Sequence, residues 1–174
     1  MHTVTRTSIP ESLQKNADKW TKELLLQLNI YKTVDSIPDK YKDKYRKQDI
    51  KKALCEMYNK RCCYCEGRIG AQAYEHIEHL KPKSLFPQEC YEWNNLHWVC
   101  EICNSGNKND QWDRENPILS PTEDRIEDYI DVDLTTGEII AKNNNARADT
   151  TIRHTGLNRD KLIEERRAVI NKIN

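Results

Sequence analysis

No apolar run in this 174-residue sequence is long enough to span a bilayer, and Met1-His2-Thr3-Val4-Thr5 lacks the apolar stretch of an export signal. The expected compartment is therefore the cytoplasm, with no membrane partner. Internal repeats and low-complexity tracts are also missing, which excludes a solenoid or a linker-dominated chain. Net charge is absent as well. The 28 basic side chains balance 28 acidic ones, an unusual state for a free-standing nucleic-acid binder. Apolar residues are only 37% of the chain and charged residues 32%, with a mean hydropathy of −0.92. Such a composition predicts one ordinary domain, or a compact core with helical additions. Its hydrophobic core would be thin enough for a structural metal to help.

Cysteine, in contrast, is plentiful, with seven residues. In a reducing compartment they argue for metal ligation before disulfides. Cys62 and Cys65 form one Cys-x-x-Cys pair, and Cys100 and Cys103 form another. Two such pairs can close a tetrahedral thiolate cage around a structural Zn2+. Cys63 could replace Cys62, but only Cys62 has the favoured spacing to Cys65. Cys55, Cys63 and Cys90 then read as small packed side chains.

Charge is distributed unevenly despite the neutral total. Residues 1–60 carry 13 basic and 8 acidic side chains, and residues 111–174 carry 10 and 13. The basic excess runs from Lys40 to Lys52, interleaved with Tyr41 and Tyr45. It reads either as a phosphate-facing surface or as a solvated helix face.

Apolar spacing through Leu13, Ala17, Trp20, Leu24 and Leu28 predicts a first helix entered near Pro10. Residues 32–43 read as a polar linker, and a second helix is expected from Tyr45 to Asn59. Short strands are expected at Ala73–Leu80 and Asn94–Val99, with a turn into a short helix after Cys103. Ile130–Leu134 and Glu138–Ala141 read as a hairpin turning at Thr136-Gly137. A last helix is expected from Leu157 to Ile173, with Asn158 as its cap and Leu157, Leu162 and Val169 on its apolar side. His97 and the four tryptophans read as packing residues, and His2 and His154 as surface residues.

Between the cysteine pairs lies Glu75-His76-Ile77-Glu78-His79-Leu80-Lys81-Pro82-Lys83-Ser84. Cleaving a phosphodiester requires an oriented water with a base, a cation to neutralise developing charge, and stabilisation of the leaving oxygen. Glu78 suits a hard Mg2+ or Mn2+, and a neutral His79 suits the base.

Cys62-x-Tyr64-Cys65, Glu78-His79-Leu80-x-Pro82-Lys83-Ser84, Asn95-Leu96, and Cys100-x-x-Cys103-Asn104 with a nearby lysine together resemble the HNH endonuclease pattern. The resemblance implies an α+β fold. Its centre would be a small ββα-metal core with a four-cysteine zinc site, flanked by N-terminal helices and a C-terminal hairpin plus helix. It divides the chain into a helical region (1–60), a nuclease core (61–115) and a C-terminal extension (116–174). It also implies that Glu78 and Asn104 hold the catalytic cation, His79 is the general base, Asn95 steadies the base and its loop, and Lys108 contacts the scissile phosphate. A shifted reading places Glu75-His76 at the first two positions, and Asn107 is an alternative to Asn104.

Flanking segments from Ile50 to Arg166 are similar to HNH proteins encoded beside an ATPase in Septu-type and retron-associated phage-defence systems. That similarity implies an endonuclease acting on DNA, or on RNA, with a partner ATPase. A zinc-ribbon adaptor without catalysis is the alternative.

Overall fold

A computed structural model describes residues 1–70 and 75–173. The expected strand start at Ala73 lies outside the described residues. Helix α1 spans Glu11–Tyr31 and buries Leu13, Trp20 and Leu24 on one face, the spacing the sequence displays. Pro10 precedes it with φ −58°, and Lys32 ends it in the left-handed region, its N–H returning to Leu28 O. Helix α3, Gln48–Met57, buries Ile50 and Leu54. Its Asp49 carboxylate accepts from the Ser12 backbone N–H at 2.8 Å, so one helix caps the start of the other.

Two expectations about this region need correction. The second helix begins at Gln48, because Lys47 is extended (φ −66°, ψ 150°) and detaches a short turn at Lys44–Arg46. The presumed linker carries helix α2, Asp39–Lys42, and buries Val34 and Ile37. Two apolar residues in a polar stretch leave no periodic signal, although both reach the core.

Strand β1, Glu75–His79, pairs antiparallel with β2, Leu96–Cys100. Glu78 lies opposite His97, and His79 opposite Leu96. Residues 80–95 connect the two strands as a long loop. Helix α4, Glu101–Cys103, follows β2 directly and continues as a wide π-type turn through Lys108. A second antiparallel pair joins β3, Ile130–Val132, to β4, Ile139–Ala141. The chain is therefore a mixed α and β structure with two small sheets. One hydrophobic core runs from Leu13 through Leu54, Tyr64, Trp93, Leu96 and Leu119 to Leu157, drawing on all three sequence regions.

Helix α5, Ala146–His154, was not expected. It buries Ala148, Thr150, Thr151 and His154, small and polar residues that give no apolar stripe. Thr151 Oγ1 accepts from Leu119 N at 2.8 Å, which ties the helix to the core through a hydroxyl. His154 is consequently buried rather than on the surface. Helix α6 starts at Asp160 instead of Leu157 and buries none of its residues fully, with Val169 exposed. Asn158 is not its cap. Its amide bonds both the N–H and the carbonyl of Ile139 and so pins α6 to strand β4.

Gly156 turns the chain out of α5 with φ +62°, and an added Cβ would fall 2.2 Å from Asn107 Oδ1. The left-handed backbone favours glycine here, and a larger residue would also have to displace the Asn107 amide. Gly156→Ala is expected to lower unfolding stability by about 1–3 kcal/mol, measured by urea denaturation.

Candidate functional site

The sulfurs of Cys62, Cys65, Cys100 and Cys103 all lie within 4.8 Å of one another. Cys65 and Cys100 Sγ are 3.8 Å apart, matching the ~3.8 Å edge of a tetrahedron with ~2.3 Å Zn–S bonds. Cys63 stands outside this group; its N–H donates to Trp98 O at 2.8 Å, anchoring the first cysteine turn to β2. The chemistry also suits a cation. Burial raises the Cys62 thiol to about 12, while hydrogen bonds from Cys100 and Cys103 lower Cys65. Four thiols this close resist ionising together unless a divalent ion shares their charge. Arg159 Nη1 donates to Cys103 Sγ at 3.3 Å, adding a positive partner from the turn before α6. The four cysteines can therefore hold a structural zinc.

Beside the cluster, a cleft of about 540 Å³ opens over β1 and is lined by Glu78, His79 and Asn104. His79 is 6% exposed, and its Nε2 lies 2.9 Å from Cys90 O. A carbonyl can only accept, so Nε2 carries the proton and Nδ1 keeps its lone pair. Among the described residues, no hydrogen bond occupies Nδ1. The Tyr45 ring meets the imidazole edge-on at 4.6 Å. Burial, reinforced by the Lys83 ammonium, lowers His79 to about 3, so the ring is neutral.

Glu78 is 4% exposed. Burial raises its pKa, and Lys108, whose Nζ lies 2.5 Å from Oε1, opposes that rise. Oε1 is thus engaged by the Lys108 ammonium, and a carboxylate has further acceptor sites beyond that one. This suits a carboxylate that also serves a cation. Asn104 Nδ2 lies 3.2 Å from His76 Nδ1, which places His76 on the same side of the cleft. Asn107 faces elsewhere: its amide donates to Ile102 O at 2.6 Å and packs against Gly156.

Asn95, at the far end of the connecting loop, is buried. Its Oδ1 accepts from Lys81 N at 2.8 Å, and its Nδ2 donates to the Lys81 and Glu89 carbonyls, each at 3.1 Å. It thereby staples the residues that immediately follow His79.

Lys108, expected at the scissile phosphate, does not line the cleft. It is fully buried, and besides Glu78 it donates to His79 O at 3.1 Å and Asn109 O at 3.2 Å. A buried carboxylate needs a buried counter-charge, and that demand holds Lys108 beneath the cleft. Sequence reasoning missed Asp110, which lines the cleft and has no motif to announce it. It noticed Tyr45, Arg46 and Lys51 only as part of a basic stretch, yet all three form a cleft wall. His97 is a core residue, with Nδ1 2.6 Å from Tyr58 OH.

No family model matches the chain. It is similar to the Septu protein PtuB of Bacillus mycoides (strain KBAB4), 28% identical over 158 residues, covering 74% of this chain and 53% of that protein. It is also similar to the Septu protein PtuB of Bacillus thuringiensis, 39% identical over 82 residues, covering 47% of this chain and 32% of that protein. The chain thus spans about half the length, or less, of the curated relatives it matches. These similarities support the resemblance to Septu-type proteins.

Two outcomes are expected from this geometry. Cys62→Ser should lose zinc and cooperative unfolding, whereas Cys63→Ala should retain about one zinc per chain, as measured by elemental analysis after desalting. Lys108→Met should cost about 3–5 kcal/mol by stranding Glu78. The Glu78→Gln/Lys108→Met double variant should recover most of that loss in urea titrations without added divalent cation.

Proposed function

We propose that the chain is a metal-dependent HNH-type endonuclease, the nuclease component of a Septu-type defence system acting with a PtuA-like ATPase. The observation that carries this reading is the pairing of Glu78 and His79 at the cleft. One is a buried carboxylate lining the cleft, and the other an imidazole whose tautomer leaves Nδ1 as the acceptor. Supporting it are the β1–β2 pair leading into the Glu101–Lys108 helical turn, and the relatives' name as Septu proteins.

In this reading His79 Nδ1 takes a proton from water as the water oxygen bonds to phosphorus. The bond from phosphorus to the 3′ oxygen breaks, and that oxygen departs as an alkoxide that takes a proton from solvent, giving a 3′-hydroxyl and a 5′-phosphate. Glu78 and Asn104 would hold Mg2+ or Mn2+, with His76 and Asp110 bordering the same cleft. When bound, the cation stabilises charge on the departing oxygen. Asn95 keeps the Leu80–Lys81 backbone in place, and the Cys90 carbonyl keeps the imidazole oriented. The four-cysteine site acts as a frame, since its sulfurs leave no position open for substrate.

DNA is the favoured substrate. Plasmid incubated with the zinc-loaded chain, Mn2+ and the partner ATPase should be cut, and His79→Ala should slow cutting by about 10²-fold or more. Chelation followed by Zn2+ alone should restore folding without cutting, with Mg2+ or Mn2+ then restoring the reaction. Retained defence by His79→Ala and Glu78→Ala variants would instead assign the chain to a zinc adaptor. Cleavage of RNA in place of plasmid would reassign the substrate.

A further inference from the structure

We propose that Lys83, with Arg46 beside it, is the phosphate-contacting cation of the cleft, in the role that the sequence pattern assigned to Lys108. This inference rests on the nuclease reading and deepens it.

Lys108 cannot reach a substrate. Its ammonium is enclosed and engaged with Glu78, His79 O and Asn109 O, and withdrawing it would strand a buried carboxylate. Apart from the divalent cation proposed for Glu78 and Asn104, a phosphodiester entering over His79 would meet no positive group unless a side chain of the cleft wall supplies one.

Lys83 lines the cleft next to His79 and is 22% exposed. Its Nζ is held at 3.1 Å from Asp43 Oδ1 and 3.3 Å from Tyr45 OH. An ammonium has three N–H donors, so two fix the head group and one remains for a phosphate oxygen. Tyr45 sets the spacing. Lys83 Nζ lies 5.3 Å from the Tyr45 ring centroid, and the same ring meets the His79 imidazole at 4.6 Å. The cation and the base are therefore positioned by one rigid aromatic side chain.

The Asp43 carboxylate also holds Arg46, whose Nη2 lies 3.1 Å from Oδ2 and whose side chain is 62% exposed at the cleft. Lys51 adds a third cation on this wall, partly offset by Glu75 at 3.8 Å. Tyr45 and Arg46, which precede the cysteine-framed segment, thus supply one side of the cleft. Elsewhere in the basic stretch, Lys44 pairs with Glu23, Lys42 with Asp39 and Lys52 with Glu56. On this wall Lys83, Arg46 and Lys51 outnumber Asp43 and Glu75, and a phosphodiester backbone is the anion such an excess fits.

The test compares parent, Lys83→Met and Lys83→Arg in two assays: plasmid cutting with Mn2+ and the partner, and anisotropy of a short fluorescein-labelled duplex in Ca2+ across a salt series. Lys83→Met should slow cutting by about 10²-fold. It should also lower the slope of log affinity against log salt by about 0.9. Lys83→Arg should keep the parent slope and cut within about tenfold of the parent. A merely structural Lys83 would not change the salt slope by one phosphate contact. Should Lys83→Met fail to unfold cooperatively, Lys83→Gln carries the same comparison. Parent-like cutting and slope in the charge-deleted variant, with His79→Ala inactive, would overturn the role of Lys83 and leave the nuclease reading standing. A parent that binds with the predicted loss of slope in Lys83→Met but never cuts would support the phosphate contact and remove the nuclease. A parent that neither binds nor cuts would overturn both.

Discussion

Four sulfurs drawn within 4.8 Å of one another are the constraint on which the rest of this chain depends. They join the turn after α3 to the end of β2 and the end of α4, segments separated by more than thirty residues. Closing so long a loop carries a large entropy cost, and the apolar content is low. A bound zinc would offset that cost and hold β2 where it pairs with β1. The register then sets Glu78 against His97 and His79 against Leu96. A slip of one residue would exchange the faces of β1 and turn the catalytic candidates away from their partners.

The second organising feature is a buried charge pair. Glu78 and Lys108 lie between β1 and the turn that follows α4. Such a pair contributes little net stability, because both charges lose their hydration. Its consequence is positional: Lys108 also grips the His79 carbonyl, so the ends of β1 and of the helical turn are held by one ammonium. Stability and geometry meet in Glu78, which needs Lys108 to be buried and at the same time lines the cleft.

Much of the site was legible. The cysteine spacing pointed to the four residues that cluster, and Glu78, His79 and Asn104 do line one cleft. Helix α1 was legible because its apolar residues repeat at helical spacing. Helix α5 was hidden because it packs through alanine, threonine and histidine, whose burial depends on hydrogen bonds such as Thr151 to Leu119. The buried position of Lys108 was equally hidden, since a lysine after a cysteine pair carries no mark of the carboxylate it will meet.

By itself the sequence determined ligand chemistry: which side chains can bind a soft or a hard cation, which can take a proton, and which stretches repeat at helical spacing. Those properties belong to single residues and their near neighbours. Only the tertiary structure decided that Tyr45 and Arg46 reach the cleft, that Lys83 faces it while Lys108 lies beneath it, and that His79 presents Nδ1. These depend on desolvation and on partners distant in sequence, such as Asp43 for Lys83 and Cys90 for His79, which spacing along the chain does not encode.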